Sequence, residues 1–481
     1  MTNAAIRGQE RRALFAEPGM AVSLLLFLLL CGFALWQGHV HRTSLAEGVV
    51  SFQDEGDARA ENWRARLVAI ESGKSTLEND RWAGLAMGVY LPASAPPGPL
   101  ADFSVGVSDI QPTTATVSQW RSIENLFGIY QFQSPLAIAA GPFDFAFVII
   151  FLLPLLMIVL AYDVLTDDRE RGHLELLLAE PIGMRDIAFT RLRVRFGAAF
   201  VLFAIAALVG LATGGGDGRI ERFAIWLSVA IMHFFFWAAL ITWIVSLFLR
   251  SETTLLALVA LWALSGMIGP AMLVAAAEAA YPAPSRLAFL SDAREASSNA
   301  YKSREDVKRW MLLDHPQLTI DDYSIPEYIR TSFIVTRTVD EKVEPVLEGF
   351  EAAQSARRSL LNRLQFASPT VLTLQALNAA AGTDLERQKR FEREVRAYKK
   401  DLGDRVAPKV LADIRLTPTD YDSLPRFSFQ EASFGAITKA VLGPILYLGA
   451  FSAFFGFLAR LNLGRLQTRT KEPTRFDQGR S

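Results

Sequence analysis

Long apolar runs separated by charged stretches dominate the pattern of this chain. Six runs stand out, at roughly residues 20–37, 143–162, 196–212, 223–249, 255–276 and 435–458. Each approaches the ~20 apolar residues that cross a bilayer. The first resembles a signal peptide but has no small-x-small cleavage site. Trp36, Gln37, His39 and His41 follow it, so it reads as a retained span. Between the runs the period changes. In "ENWRARLVAIE", Trp63, Leu67 and Ile70 fall at helical spacing, with Arg64 and Arg66 on the other face. A Pro-rich turn, "LPASAPPGPL", and a strand-like "FSVGV" come next. Further on, Val343, Val346, Leu347, Phe350, Leu360, Leu361 and Leu364 follow nearly a heptad spacing, as do Leu385, Phe391, Val395, Tyr398 and Leu402. These predict amphipathic helices that pack on each other or on the segment after the first span.

Composition agrees with a membrane protein that has sizeable water-facing parts. Hydrophobic residues make up 51% of the chain and charged residues 21%. The net charge of -1 conceals an asymmetry. Arg7, Arg11 and Arg12 precede the first run. Arg169, Arg171, Arg185, Arg191, Arg193 and Arg195 lie between the second and third. Arg460, Arg465, Arg469, Lys471, Arg475 and Arg480 follow the last. With six spans all three groups share one side, which the positive-inside rule makes the cytoplasm. The expected fold is an α-helical polytopic membrane protein with six transmembrane helices and two extracytoplasmic, mostly helical insertions. Its plan is a connecting helix at 1–19, a first span at 20–40, an outer domain at 41–141 and a second span at 142–162. A cytoplasmic loop at 163–195, three spans within 196–276, a second outer domain at 277–434, a last span at 435–459 and a basic tail at 460–481 complete it. The one cysteine, Cys31, lies inside the first span, so no intrachain disulfide holds the outer domains.

Candidate chemistry is sparse. "ESGKST" ends like a phosphate-binding loop, but Val68 stands where that loop needs its first glycine. The residues before it are helical, so the stretch reads as a helix end. Neither HExxH nor GxSxG occurs. His39 and His41 have no third ligand nearby in sequence. Enzymatic activity, a metal and a cofactor in this chain are therefore not expected, nor is a nucleic-acid partner. Three polar residues sit within apolar runs. Asp144 and Lys439 lie near the outer ends of the second and last spans, where they either pair at the mouth of a path or snorkel to water. His233 lies deep in the fourth span, to hold substrate or protons or to bond a neighbouring helix. Pro154, Pro270 and Pro444 are candidate kinks.

The informative loop reads "YDVLTDDRERGHLELLLAEPIGMRDIAFTRLRVRF". Leu174, Leu177 and Leu178 make one apolar face, charges of both signs line the others, and Pro181 ends the helix. A solvated loop and an interfacial helix are the plain readings. A helix with a leucine knob and both signs of charge fits a groove on a soluble protein. This loop resembles that of the type-2 ABC transporter permeases, the membrane subunits of type V ABC exporters, through Glu170, Gly172, Leu174, Leu177, Leu178, Pro181 and Arg185. Arg191 replaces that family's lysine and His173 its threonine. Gly141, Asp144, Phe147, Val148 and "LLPLL" are similar to a subgroup with large outer insertions. The resemblance implies a bacterial inner-membrane permease with both termini inside, paired with a second copy or a related permease. ATP and Mg would be bound by a separate ATPase, which would grip residues 169–180, starting at Arg169, as a coupling helix. A non-transporting sensor or scaffold that binds a partner through its outer helices is the second reading.

Overall fold

The structure, a computed structural model, describes residues 3–76, 80, 82–123, 126–127, 142–166, 170, 183–216, 218–282, 290–292, 294–295, 298–299 and 325–469. Helices α1 (Asn3–Ala16) and α2 (Pro18–Glu71) open the chain. Strands β1 (Tyr90–Ser94) and β2 (Thr114–Ser118) pair antiparallel, with Leu91 opposite Val117. Then come α3 (Phe145–Ala161), α4 (Met184–Thr213), α5 (Arg219–Val245) and α6 (Ser251–Ala280). Helices α7 (Glu327–Leu364), α8 (Pro369–Ala381), α9 (Leu385–Leu411), α10 (Pro418–Asp422) and α11 (Phe434–Arg469) complete the described chain. The chain is an α-helical membrane protein in which α2, α4, α5, α6 and α11 are long and apolar enough to cross a bilayer. Helix α3 is apolar but shorter.

The first span and the helix around Trp63 are one continuous helix of 54 residues, not two. At 1.5 Å per residue α2 is about 80 Å long. A single buried seam explains its continuity. Met20, Leu24, Phe27, Cys31, Ala34 and Gly38 are buried, then Val49, Gly56, Ala60, Trp63 and Leu67, at intervals close to a heptad repeat. The first group joins the core of the helical bundle and Ala60, Trp63 and Leu67 join the core of a separate lobe. Two glycines allow close approach along the seam. A Cβ on Gly38 would lie 1.9 Å from the Asp102 carbonyl oxygen, and one on Gly56 would lie 2.5 Å from the Pro92 ring. The helix stops at Glu71, and Gly73 follows with a left-handed φ of 71°. The "ESGKST" stretch is thus a helix end.

Contacts between helix ends sort the bundle into two faces. At one, α1 packs on the start of α4. There Thr166, just past α3, lies 2.6 Å from Ser251 of α6, and Asn462 of α11 donates to Ser246 past α5 at 3.2 Å. This is the terminal end, where α1 and the last described turns of α11 lie. At the other, Arg219 of α5, Asp144 before α3 and the loop at 99–104 converge. This is the lobe end. Successive helices α2, α3, α4, α5, α6 and α11 alternate in direction between the two.

The described segments after α2 and after α6 pack into one lobe with one main core. Trp63 and Leu67 of α2, Leu91 of β1, Val117 of β2, Phe333 of α7 and Phe391, Val395 and Leu402 of α9 pack in a single apolar cluster. Helix α8 departs from the water-facing domain expected for 277–434. Ala376, Leu377, Ala380 and Ala381 belong to the bundle core, packed with α5 and α11. The turn before α8 is deeper still. Ser368 donates to the Ser265 carbonyl at the middle of α6, at 3.0 Å, and the Phe366 ring lies 5.5 Å from that of Tyr447 on α11. The end of α7 and all of α8 form a hairpin that descends beside the long helices. At 13 residues α8 is too short to register as a span, yet it is apolar enough to be buried among them.

Candidate functional site

The loop read as the coupling element starts and ends on the terminal end of the bundle. Arg169, Gly172, Leu174, Leu177, Leu178 and Pro181 lie outside the described residues. Glu170 is described, and it holds the start of α6. Its carboxylate accepts from the Ser251 backbone N–H at 3.1 Å and from the Ser251 hydroxyl at 3.0 Å. An anion at a helix N-terminus satisfies an orphan donor and complements the helix dipole. Arg185 is half-buried in the first turn of α4.

Arg191 reaches back to α1 and the end of α3. It pairs with Glu10 of α1 at 3.1 Å and donates to the Val164 carbonyl at 3.0 Å. One turn on, Arg195 extends the network. It reaches Glu10 at 3.1 Å, Asp163 at 2.9 Å and the Leu160 carbonyl at 2.8 Å. Glu10 and Arg195 are buried. Two cations and two anions thus lock α1, the end of α3 and the start of α4 together. The sequence reading makes both arginines markers of orientation and Arg191 also a coupling-loop residue, and it does not single out Glu10, an acid on a buried face of a basic segment.

Midway through the bundle lies a second polar cluster. Helices α3 and α6 each widen into a π-type turn, at Val148–Leu152 and Leu264–Ile268, just before Pro154 and Pro270. A proline has no N–H to return to the carbonyl one turn earlier, so such turns free backbone acceptors. The Trp262 indole of α6 donates to the Phe151 carbonyl at 3.0 Å. His233 is fully buried, and its Nδ1 lies 3.0 Å from the Thr373 hydroxyl of α8. The Thr373 hydroxyl also lies 2.7 Å from the Pro369 carbonyl, so it bridges the imidazole and its own helix. His233 therefore ties the descending hairpin to α5.

At the lobe end one of the readings open for Asp144 drops out. Asp144 does not pair with Lys439. Its carboxylate accepts from the Phe147 and Val105 backbone N–H groups, both at 2.7 Å, and so caps α3 and fixes the 99–105 loop. With two backbone donors the carboxylate needs no cation. Lys439 is exposed on α11. The buried ion pair at this end joins residues the sequence did not suggest. Arg219 grips Asp102 in a fork at 2.8 and 2.6 Å and also donates to the Pro99 and Gly210 carbonyls. Beside it the Phe103 ring meets Phe145, Phe223 and Trp226 edge-on, plugging this end of the bundle. Arg222 reaches Glu431 at 3.0 Å, and Glu431 also accepts from Arg387 at 2.9 Å.

A family model described as a domain of unknown function (DUF3526) matches residues 286–430. The match includes α7, α8, α9 and α10 and stops short of α6 and α11, which flank it. No curated protein and no solved structure matches the chain.

Proposed function

We propose that the chain is the permease subunit of an ABC exporter, and that its 163–195 loop docks on a separate ATPase that binds ATP and Mg. Residues 169–180 are the coupling helix in this reading. Two such subunits, or one with a related partner, form the path across a bacterial inner membrane, with both termini inside. The observation that carries the proposal is how the ends of the loop are anchored. Glu170 is bonded to the first residue of α6, while Arg191 and Arg195 are tied through Glu10 and Asp163 to α1 and α3. A push on the loop is thereby shared among four helices rather than absorbed by a slack connection. The apolar face of Leu174, Leu177 and Leu178 supplies the contact, and His233 and Lys439 are not assigned to the path.

Purification from native membranes tests this. The wild-type chain should bring down a protein with a complete phosphate-binding loop, and Leu177→Asp should release it. Leu25→Asn, on an exposed site of α2, should not. Wild-type chain that carries no such ATPase, with the loop accessible to cross-linkers in intact cells, would falsify the permease reading and leave the sensor reading.

A further inference from the structure

The lobe has an aromatic cleft that the transport reading does not use. It has a volume of about 660 Å³ and is walled by Trp63, Trp82, Trp120, Tyr90 and Tyr421. The three tryptophans come from separate segments: α2, the stretch after it, and the turn past β2. All the described tryptophans of the lobe meet here. Trp82 is 45% exposed and its ring centroid lies 6.4 Å from that of Trp120, the two planes tilted by 51°. Gly88 makes room for the Trp63 ring, since a Cβ there would lie 2.4 Å from it. Trp82 is exposed and Trp120 half-buried at the edge of the lobe core, so the pair presents indole surface to water.

Polar groups around the rim limit what could fill the cleft. Among the described residues two charged side chains line it, Arg59 and Arg66. Arg59 is paired with Glu55 at 2.9 Å, and Arg66 is paired with Asp80 and stacked over Trp63. Among the described residues no carboxylate lines the cleft, so an aromatic cage for a cation has guanidinium groups as neighbours. An anion would find both guanidinium groups already neutralised. What remains is a neutral guest with flat apolar faces and a polar edge. A saccharide ring has that form: C–H groups above and below, hydroxyls around the equator. The indoles would stack on the C–H faces. The exposed Asn62 amide, the Tyr90 hydroxyl and the free N–H groups of Arg59 would take the hydroxyls. The volume is within the range of ligand pockets and leaves room for more than one ring.

We propose that this cleft is a binding site for a neutral oligosaccharide. The proposal does not depend on the transport reading. The full chain in detergent is titrated with cellotriose, chitotriose and mannotriose, read by calorimetry and tryptophan fluorescence. At least one should bind saturably with a Kd of about 1 mM or tighter. Trp82→Ala and Trp120→Ala should each weaken it at least about fivefold, whereas Trp36→Ala, at an exposed site on α2, should leave it unchanged. Asn62→Ala, on the exposed face of α2, should also weaken binding and serves where a tryptophan variant does not fold. No binding of the three sugars overturns the proposal. So does binding that ignores all of these substitutions, or a cleft that takes a proline-rich peptide and no sugar.

Discussion

The two ends of the helical bundle both bury arginine, but they do so differently. At the lobe end Arg219 and Asp102 form one pair, each side chain 3% exposed, with two backbone carbonyls completing the arginine. At the terminal end the charge is shared among Glu10, Asp163, Arg191 and Arg195. A lone buried pair has no substitute when one partner is lost, whereas a four-membered network does. The lobe end is therefore a fixed clasp. The terminal end can lose or exchange a contact and still hold.

Substitutions can break or sharpen this contrast. Asp102→Ala leaves Arg219 buried without its carboxylate and should cost about 3–5 kcal/mol. Glu10→Gln leaves Arg195 with Asp163 and the Leu160 carbonyl, and should cost less, about 1–3 kcal/mol. Equal losses at the two ends would remove the distinction. Cys31 is the only cysteine and is buried, so its reaction with a thiol dye during heating reports unfolding in both cases. Thr373→Val removes the hydroxyl partner of His233 and should cost about 1 kcal/mol, with hydrogen exchange in α8 rising more than in α2. An unchanged exchange pattern would mean that the hairpin is held by its apolar face alone.

The smallest effect concerns acid. The Arg66 guanidinium holds the Asp80 carboxyl below its ordinary value. A carboxylate with a depressed folded pKa contributes stability above its unfolded pKa, about 3.9, and loses it as pH falls through the lower folded value. The segment around Trp82 should thus keep its fluorescence at pH 5 and change only below about pH 4. A transition near neutral pH would assign it to another group.

Much of the bundle could be read from its apolar runs, because a span's length and composition are local properties. The rest depends on partners distant in sequence. The seam of α2 was hidden because "QDEGDARAEN" places charges on every face but one, and only Gly56 and Ala60 mark the buried side. Helix α8 was read as water-facing because its apolar run is too short to span. The Asp102–Arg219 clasp joins a Pro-rich turn to a short loop more than a hundred residues away, and nothing in either segment names the other. Of the candidate site residues, Glu170 and Arg191 were picked out by their pattern in the loop. Their actual partners, Ser251 and Glu10, were not, since both are ordinary polar residues until the fold buries or caps them.

The unbroken course of α2 has a mechanical corollary. A rod about 80 Å long has no joint at which bending could be lost. Tilting it by about 5° around its midpoint would carry either tip roughly 3.5 Å. Trp63, about 28 Å from that midpoint, would shift by roughly 2.4 Å, so the proposed aromatic cleft and the lean of the membrane half would change together.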